Sequence, residues 1–435
     1  MNLAFASWDA KTDKPILLHP DSSWCWFQDE RMLVDQGRLL LGGVSSQGDI
    51  HITMYDLQTG KRSQFVLHPR LEVDDHNVPA LLVLPDGRYL AAYTKHGSDK
   101  ITRFRVSSRP GDISAWEPEQ HYEHTASVTY SNLCYLAGEG EKGRIYNFVR
   151  SFQWDPNFII SEDGVRSWRQ GGRLLDGGGP TIRPYLRYKG NGKDTIHFIA
   201  TDGHPSRQLN SIYHGYIRGG KAYRSDGICV NENIFRTEAP PVTAFTRVFQ
   251  GDEQNVAWTV DIELDEKGRP YILYSVMKDP LPLQTGRRGM DHRYHYARWD
   301  GNRWHAQEIA YAGTRLYPEE PEYTGLAALH PKNPNLVFIS TNAYPDTGQP
   351  ILVDGQRRYE IFRGQSTDGG RTWQWRPVTS NSSEDNLRPL VAAEGEMTIL
   401  VWLRGHYRSY TNYKQAAVGL LLREKKTDSD PEEKK

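Results

Sequence analysis

The sequence predicts an all-β chain folded as a seven-bladed β-propeller of antiparallel four-stranded blades. Helical periodicity is scarce, and short runs rich in Val, Ile, Leu, Tyr and Phe are bounded by Gly, Asp, Asn and Pro. Those runs recur in the same order seven times, at roughly sixty residues per copy, within the range of a propeller blade. Two of the copies carry the same Ser–Asp–Gly turn pattern, SEDGVRSW (161–168) and STDGGRTW (366–373).

The repeats read off in chain order. A first run ends at a reverse turn in MLVDQG (32–37), ALLVLPDG (80–87), LCYLAGEGEKG (133–143), PYLRYKGNG (184–192), DIELDEKG (261–268), AALHPKNP (327–334) and LVAAEGE (390–396). A second strand follows each, as in RLLLGGVSS (38–46), RYLAAYTKHG (88–97), RIYNFVRSF (144–152) and MTILVWLRGH (397–406). A third strand with a further turn follows most of them, and AAVGLLLREKK supplies the last one. In the two Ser–Asp–Gly turns, Ser and Asp tie a tight turn and Trp packs between blades, so these turns are structural. The segment about 225–256 reads as an insertion, expected as a long loop over one face. Residues 1–425 thus form one propeller, and the polar tail 426–435 is expected to be disordered.

Composition narrows the function classes. With 53 Lys+Arg against 54 Asp+Glu, the chain lacks the basic excess expected of a nucleic-acid coat. No apolar run is long enough for a transmembrane helix, and no signal peptide is visible at the start. Three cysteines, Cys25, Cys134 and Cys229, cannot form a disulfide framework. A monomer is expected.

Topology points to one face. The start of strand one and the end of strand two of every blade lie on the same side. The opposite turns (PDG, KGNG, DEKG) are bland, whereas these ends carry unusual side chains. Blade two offers Asp75-His76-Asn77 and Lys95-His96. Blade three offers Tyr130-Ser131-Asn132 and Arg150. Blade four offers Arg183-Pro184-Tyr185 and Asp202-Gly203-His204, and blade seven adds Arg388, Arg404 and His406. Singly, each has a structural reading as a capped, paired or packed residue; together they form a candidate site. Glycoside hydrolysis would require two suitably spaced carboxylates, for which only Asp75 and Asp202 are available. His, Tyr and Arg instead suit β-elimination from a uronic acid. Arg neutralises the carboxylate and acidifies the C5 proton, and Tyr or His moves protons.

The segments DDHNVPALLVLPDGRYLAAYTKHG (74–97), TYSNLCYL (129–136), RPYLRYKGNGKDTIHFIATDGHP (183–205), HRYHYARWDG (292–301) and STDGGRTW (366–373) resemble the BNR-repeat propeller family. Within it, the chain is most similar to secreted bacterial ulvan lyases, over about residues 20–420; a related branch comprises rhamnosidases. The resemblance implies that His76, His96, Tyr130, Arg150 and Tyr185 are catalytic. It implies substrate contacts from Asn77, Asn132, Arg183, Tyr188, Lys95 and Arg388, with Arg183, Arg388 or Lys95 meeting sulfate groups. The implied substrate is ulvan, an anionic sulfated polysaccharide cleaved between rhamnose 3-sulfate and uronic acid. A secreted or periplasmic location follows. No cofactor is required for this chemistry, and a structural zinc or calcium is expected at His204, His214 and Cys229. The rival expectations are a hydrolase releasing rhamnose and a non-catalytic glycan-binding propeller.

Overall fold

The computed structural model describes residues 8–10, 14–282 and 288–424. The tail 426–435 lies outside the described residues. Seven antiparallel sheets stand around a central channel, and the innermost strands are Met32–Asp35, Ala80–Val83, Thr129–Leu136, Leu186–Gly190, Val256–Leu264, Ala327–His330 and Asp385–Glu394. The seven-bladed propeller expected from the repeats is therefore observed. Among the described residues, no helix is long and apolar enough to cross a membrane.

Ring closure joins the two ends of the chain. Blade seven takes only three strands from the C-terminal region, Asp385–Glu394, Met397–Ser409 and Asn412–Glu424. Its outer edge comes from Ile16–His19 and Trp8–Ala10, which pair antiparallel with Asn412–Glu424. The segment 225–256 also departs from expectation. It forms no loop over the channel mouth: Thr246–Phe249 pairs with Ile212–Arg218, continuing the edge begun by Lys221–Arg224. The stretch between runs along blade three, where the Arg173 and Asp176 amides donate to the Arg236 and Pro240 carbonyls.

The two repeated turns behave as read. Asp368 accepts from the Arg371 and Thr372 amides at 2.9 Å each, and Trp373 packs on Tyr296 of blade five. In the earlier copy Asp163 accepts from the Arg166 and Ser167 amides, and Trp168 stacks on Phe104 of blade two at 4.3 Å. That copy places Val165 at φ +65, where the other has Gly370 at φ +89. A β-branched residue pays a strain there that glycine avoids.

The channel is filled by the segment 22–31, SSWCWFQDER, which no repeat predicts. Trp24, Cys25, Trp26 and Phe27 are all buried. The Trp24 indole donates to the Arg388 carbonyl of blade seven at 3.2 Å, and the Trp26 indole to the Thr259 carbonyl of blade five at 3.1 Å. Asn132 of blade three donates to the Phe27 carbonyl, the Leu81 amide of blade two to Glu30, and the Gly42 amide of blade one to Arg31. Asp29 meets Arg187 of blade four at 3.0 Å, while Lys189 bridges Glu30 and Glu263. The buried charges of Asp29 and Arg187 are tolerable because they are paired.

Truncating this hub should therefore act like a core cavity. Trp24→Ala is expected to cost about 3–5 kcal/mol, read as a lower midpoint of chemical unfolding; a change under about 1 kcal/mol would mean the blades hold together without it.

Candidate active site

A cleft of about 840 Å³ opens over the hub on the face carrying the strand-one starts. Blades two, three and four contribute His76, His96, Arg150, Arg183, Tyr185 and His204 to its lining, so six of the sequence-predicted residues converge there.

The histidines are held by one carboxylate. Asp74 caps the short turn Asp75–Asn77, accepting from the His76 amide at 2.9 Å. The same side chain meets His76 Nδ1 at 2.7 Å and His96 Nδ1 at 2.9 Å. The two rings stack with centroids 3.9 Å apart and 9° between planes. Asp75 adds a second carboxylate oxygen 3.1 Å from His76 Nδ1. Burial opposes charge on His76, but the neighbouring anions outweigh it and hold its pKa well above the usual histidine range. Burial and the charge on His76 hold His96 below that range. The pair thus combines one charged and one neutral ring. His96, bonded through Nδ1, keeps Nε2 as an acceptor.

Tyr130 lies just behind the lining, its ring 5.9 Å from His76 and 5.6 Å from Phe27 of the hub. Its backbone sits at φ +69, beside a register shift between Thr129 and Asn132. Such a conformation costs about 1–3 kcal/mol, and the register shift re-aims the side chain away from plain alternation. The hydroxyl is buried and, among the described residues, has no hydrogen-bond partner. Burial and Tyr185 push its pKa well above the usual tyrosine value, so it is a proton donor at rest. The Arg150 guanidinium stands 4.0 Å over the Tyr185 ring and 5.0 Å over Tyr130, anchored by a 3.0 Å bond to the Pro184 carbonyl.

Other expected residues are placed elsewhere. Arg388 does not line the cleft. At φ +53 within a register shift it turns inward to Asp75, 2.5 Å away, and lies against Tyr407. The Asn77 amide bonds Glu72, and the Asn132 amide is spent on the Phe27 and Phe148 carbonyls. Tyr188 points into the sheet and stacks on Phe148 at 4.3 Å. Lys95 faces Asp99 at 3.9 Å. Arg404 bonds Asn386, and His406 is exposed on the outer side of its strand. Asp202 is occupied by Tyr213 and the Ser211 amide.

The expected metal ligands do not meet. His214 faces His197 at 3.1 Å and Ser225 at 2.8 Å, remote from the cleft lining that holds His204. His204 Nδ1 accepts the Ser206 amide at 3.1 Å, which leaves its proton on Nε2. Among the described residues, the triads with ligand atoms close together are Cys25–Asp75–His76 and Asp74–His76–His96, neither of which includes His204, His214 or Cys229.

Sequence reasoning missed the far wall. Pro318, Glu319, Glu320, Pro321 and Tyr323 come from the connection between blades five and six, and Arg288 from a loop within blade five. Tyr410 tops the long hairpin of blade seven and meets both histidine rings edge-on at 5.2 and 5.6 Å. Trp154 enters from a turn where Gln153 and Trp154 both have φ +60, and it carries the Arg183 guanidinium at 4.7 Å. Gly97 makes room for it, since a Cβ there would lie 2.9 Å from the indole.

The seven-bladed propeller also has relatives among known proteins. Residues 35–312, well over half of the chain, match the profile of the BNR repeat-containing family, and the chain belongs to that family. A search of the curated proteins finds no match. Among solved structures, the chain is similar to a PL25 ulvan lyase bound to -[GlcA(1-4)Rha3S]-, with TM-score 0.64 and 15% identity, over 93% of this chain and 95% of that one. It is also similar to the polysaccharide lyase Uly1, with TM-score 0.57 and 11% identity, over 96% and 99%. At these identities the likeness is one of fold.

The shared carboxylate makes a specific titration behaviour expected. In imidazole nuclear magnetic resonance, His76 should remain charged at neutral pH while His96 remains neutral. Asp74→Asn should lower the His76 transition by at least one pH unit, about the effect of losing one close opposite charge; an unchanged transition would show that Asp74 does not set the charge.

Proposed function

We propose that this protein is a polysaccharide lyase that cleaves ulvan between rhamnose 3-sulfate and uronic acid by β-elimination. The observation that carries the reading is the grouping of Arg150 and an Asp74-bridged histidine pair in the cleft lining, with the Tyr130 hydroxyl, partnerless among the described residues, just behind them. In this reading Arg150 neutralises the uronate carboxylate, which stabilises the negative charge that develops once C5 loses its proton. Neutral His96 accepts that proton at Nε2. The C4–O4 bond breaks as the C4–C5 double bond forms, and Tyr130 or charged His76 supplies the proton to the departing O4. One product then carries a 4,5-unsaturated uronate and the other a new hydroxyl. Tyr185 supports Arg150 from below, and Arg183 on its Trp154 platform is available to a sulfate group. The similar ulvan lyase, solved with a glucuronate–rhamnose sulfate ligand, is consistent with such a substrate. Secretion or a periplasmic location, and action as a monomer, belong to the same proposal.

Hydrolysis fits less well. Asp74 and Asp75 are committed to the histidines, Arg388 and Tyr407, which among the described lining residues leaves no free carboxylate facing Glu319 and Glu320 across the cleft.

Ultraviolet absorbance during incubation with ulvan should rise as the conjugated double bond forms. Tyr130→Phe should remove about 10²–10⁴-fold of the rate with binding retained. Arg150→Ala should lose about 10²–10³-fold. New reducing ends without absorbance would make the enzyme a hydrolase, and binding without either product would make it a binding propeller.

A further inference from the structure

On the wall away from the histidine pair, His204 and Glu320 face each other without touching. His204 Nε2 lies 3.8 Å from Glu320 Oε2, and among the described residues no closer partner of that carboxyl is found. Both side chains line the cleft. His204 is wedged between Tyr185 and Trp258, ring centroids 5.4 and 5.3 Å away. Its Nδ1 accepts from the Ser206 amide, so Nε2 carries the proton and donates into the gap. Burial and the nearby Arg150, Arg207, Arg183 and Arg288 push its pKa down to about 3, so it is an uncharged donor. Glu320 is fixed from the other side by a tight turn in which the Tyr323 amide donates to the Glu320 carbonyl at 3.1 Å. Its neighbour Glu322 is already committed to Arg288. A gap of 3.8 Å is too long for a hydrogen bond. A hydroxyl set beside the pair can accept from His204 Nε2 while donating to Glu320.

We propose that His204 and Glu320 together read one free sugar hydroxyl of the bound chain, and that they favour a hydroxyl over a sulfate ester at that position. The proposal rests on the polysaccharide reading above and names a specificity determinant within the same cleft. A hydroxyl both donates and accepts, which satisfies the two partners at once. A sulfate ester has no hydrogen to give, and it would bring negative charge against a carboxyl group. Sites built to hydrogen-bond a hydroxyl discriminate strongly against ligands that lack it.

Calorimetric binding of ulvan oligosaccharides to the full chain carrying Tyr130→Phe tests this without consuming the ligand. His204→Ala and Glu320→Ala should each weaken binding about tenfold, and the double variant should be no weaker than about twentyfold, because both groups act on one hydroxyl. Glu320→Gln, which can still accept and donate, should stay within about threefold of the parent. A purely structural role would not give that rescue. Single losses below about twofold, losses that multiply to about a hundredfold, or no rescue by Glu320→Gln would each overturn the proposal. The lyase reading fails separately: coupling with no ultraviolet product refutes elimination alone, and ultraviolet product without coupling refutes only the hydroxyl site. A parent chain that binds no uronate oligosaccharide overturns both.

Discussion

One ten-residue segment holds the ring and the cleft together. A propeller of seven sheets leaves a channel along its axis, and an empty channel lined by inner strands would forfeit dispersion contacts on every blade. Here residues 22–31 fill it, and Trp24, Trp26 and Phe27 are almost fully withdrawn from solvent. Indole and amide hydrogen bonds tie the segment to blades one, two, three, five and seven, and Asp29 reaches blade four through Arg187. The same residues form the floor beneath the candidate site. Phe27 packs on Tyr130 and Tyr185, and Gln28 donates to the His76 carbonyl at 2.5 Å. The positions of the reacting groups are therefore set by packing from below as well as by their own strands.

The cleft divides its labour by electrostatics. Asp74 and Asp75 concentrate positive charge on His76, which leaves His96 neutral although its ring is stacked against the first. Arg388 is the counterweight: it meets Asp75 from the channel side, so a carboxylate that would otherwise be buried unpaired is satisfied. Arg150 is instead held by a carbonyl and two aromatic faces, with no carboxylate bonded to it among the described residues. An anion entering the cleft has no tied salt bridge to displace there.

Much of this was legible in the chain. Alternating strand runs and Gly-, Asp- and Asn-rich turns specify the blades because both are local signals. The rule that strand-one starts share a face with strand-two ends brought His76, His96, Arg150, Tyr185 and His204 to one cleft. Arg388 and Asn132 escaped the rule for a physical reason: Arg388 lies within a register shift and Asn132 directly after one, and a one-residue slip reverses which way a side chain points. Tyr188 obeys plain alternation and faces the sheet interior. Glu320, Tyr323 and Tyr410 sit on connections whose path is set only by tertiary packing. The hub was illegible because SSWCWFQDER has neither period nor turn signal, and its partners lie as far away in sequence as Arg388. The blade-seven edge was missed likewise, since pairing between Ile16–His19 and Asn412–Glu424 leaves no local trace.

The seam in blade seven bears on how the chain is made. Synthesis delivers Trp24, Trp26 and Phe27 ahead of the innermost strand of every blade, whereas Thr259 and Arg388, their distant partners, leave the ribosome far later. The strand that receives Ile16–His19 emerges later still. Until then an aromatic segment and a strand without its partner wait together, the kind of surface that chaperones shield and that nascent chains aggregate through. Closure of the ring through blade seven requires that Asn412–Glu424 has been made, and a chain cut short before Arg388 would leave Trp24 and Ile16–His19 without these partners.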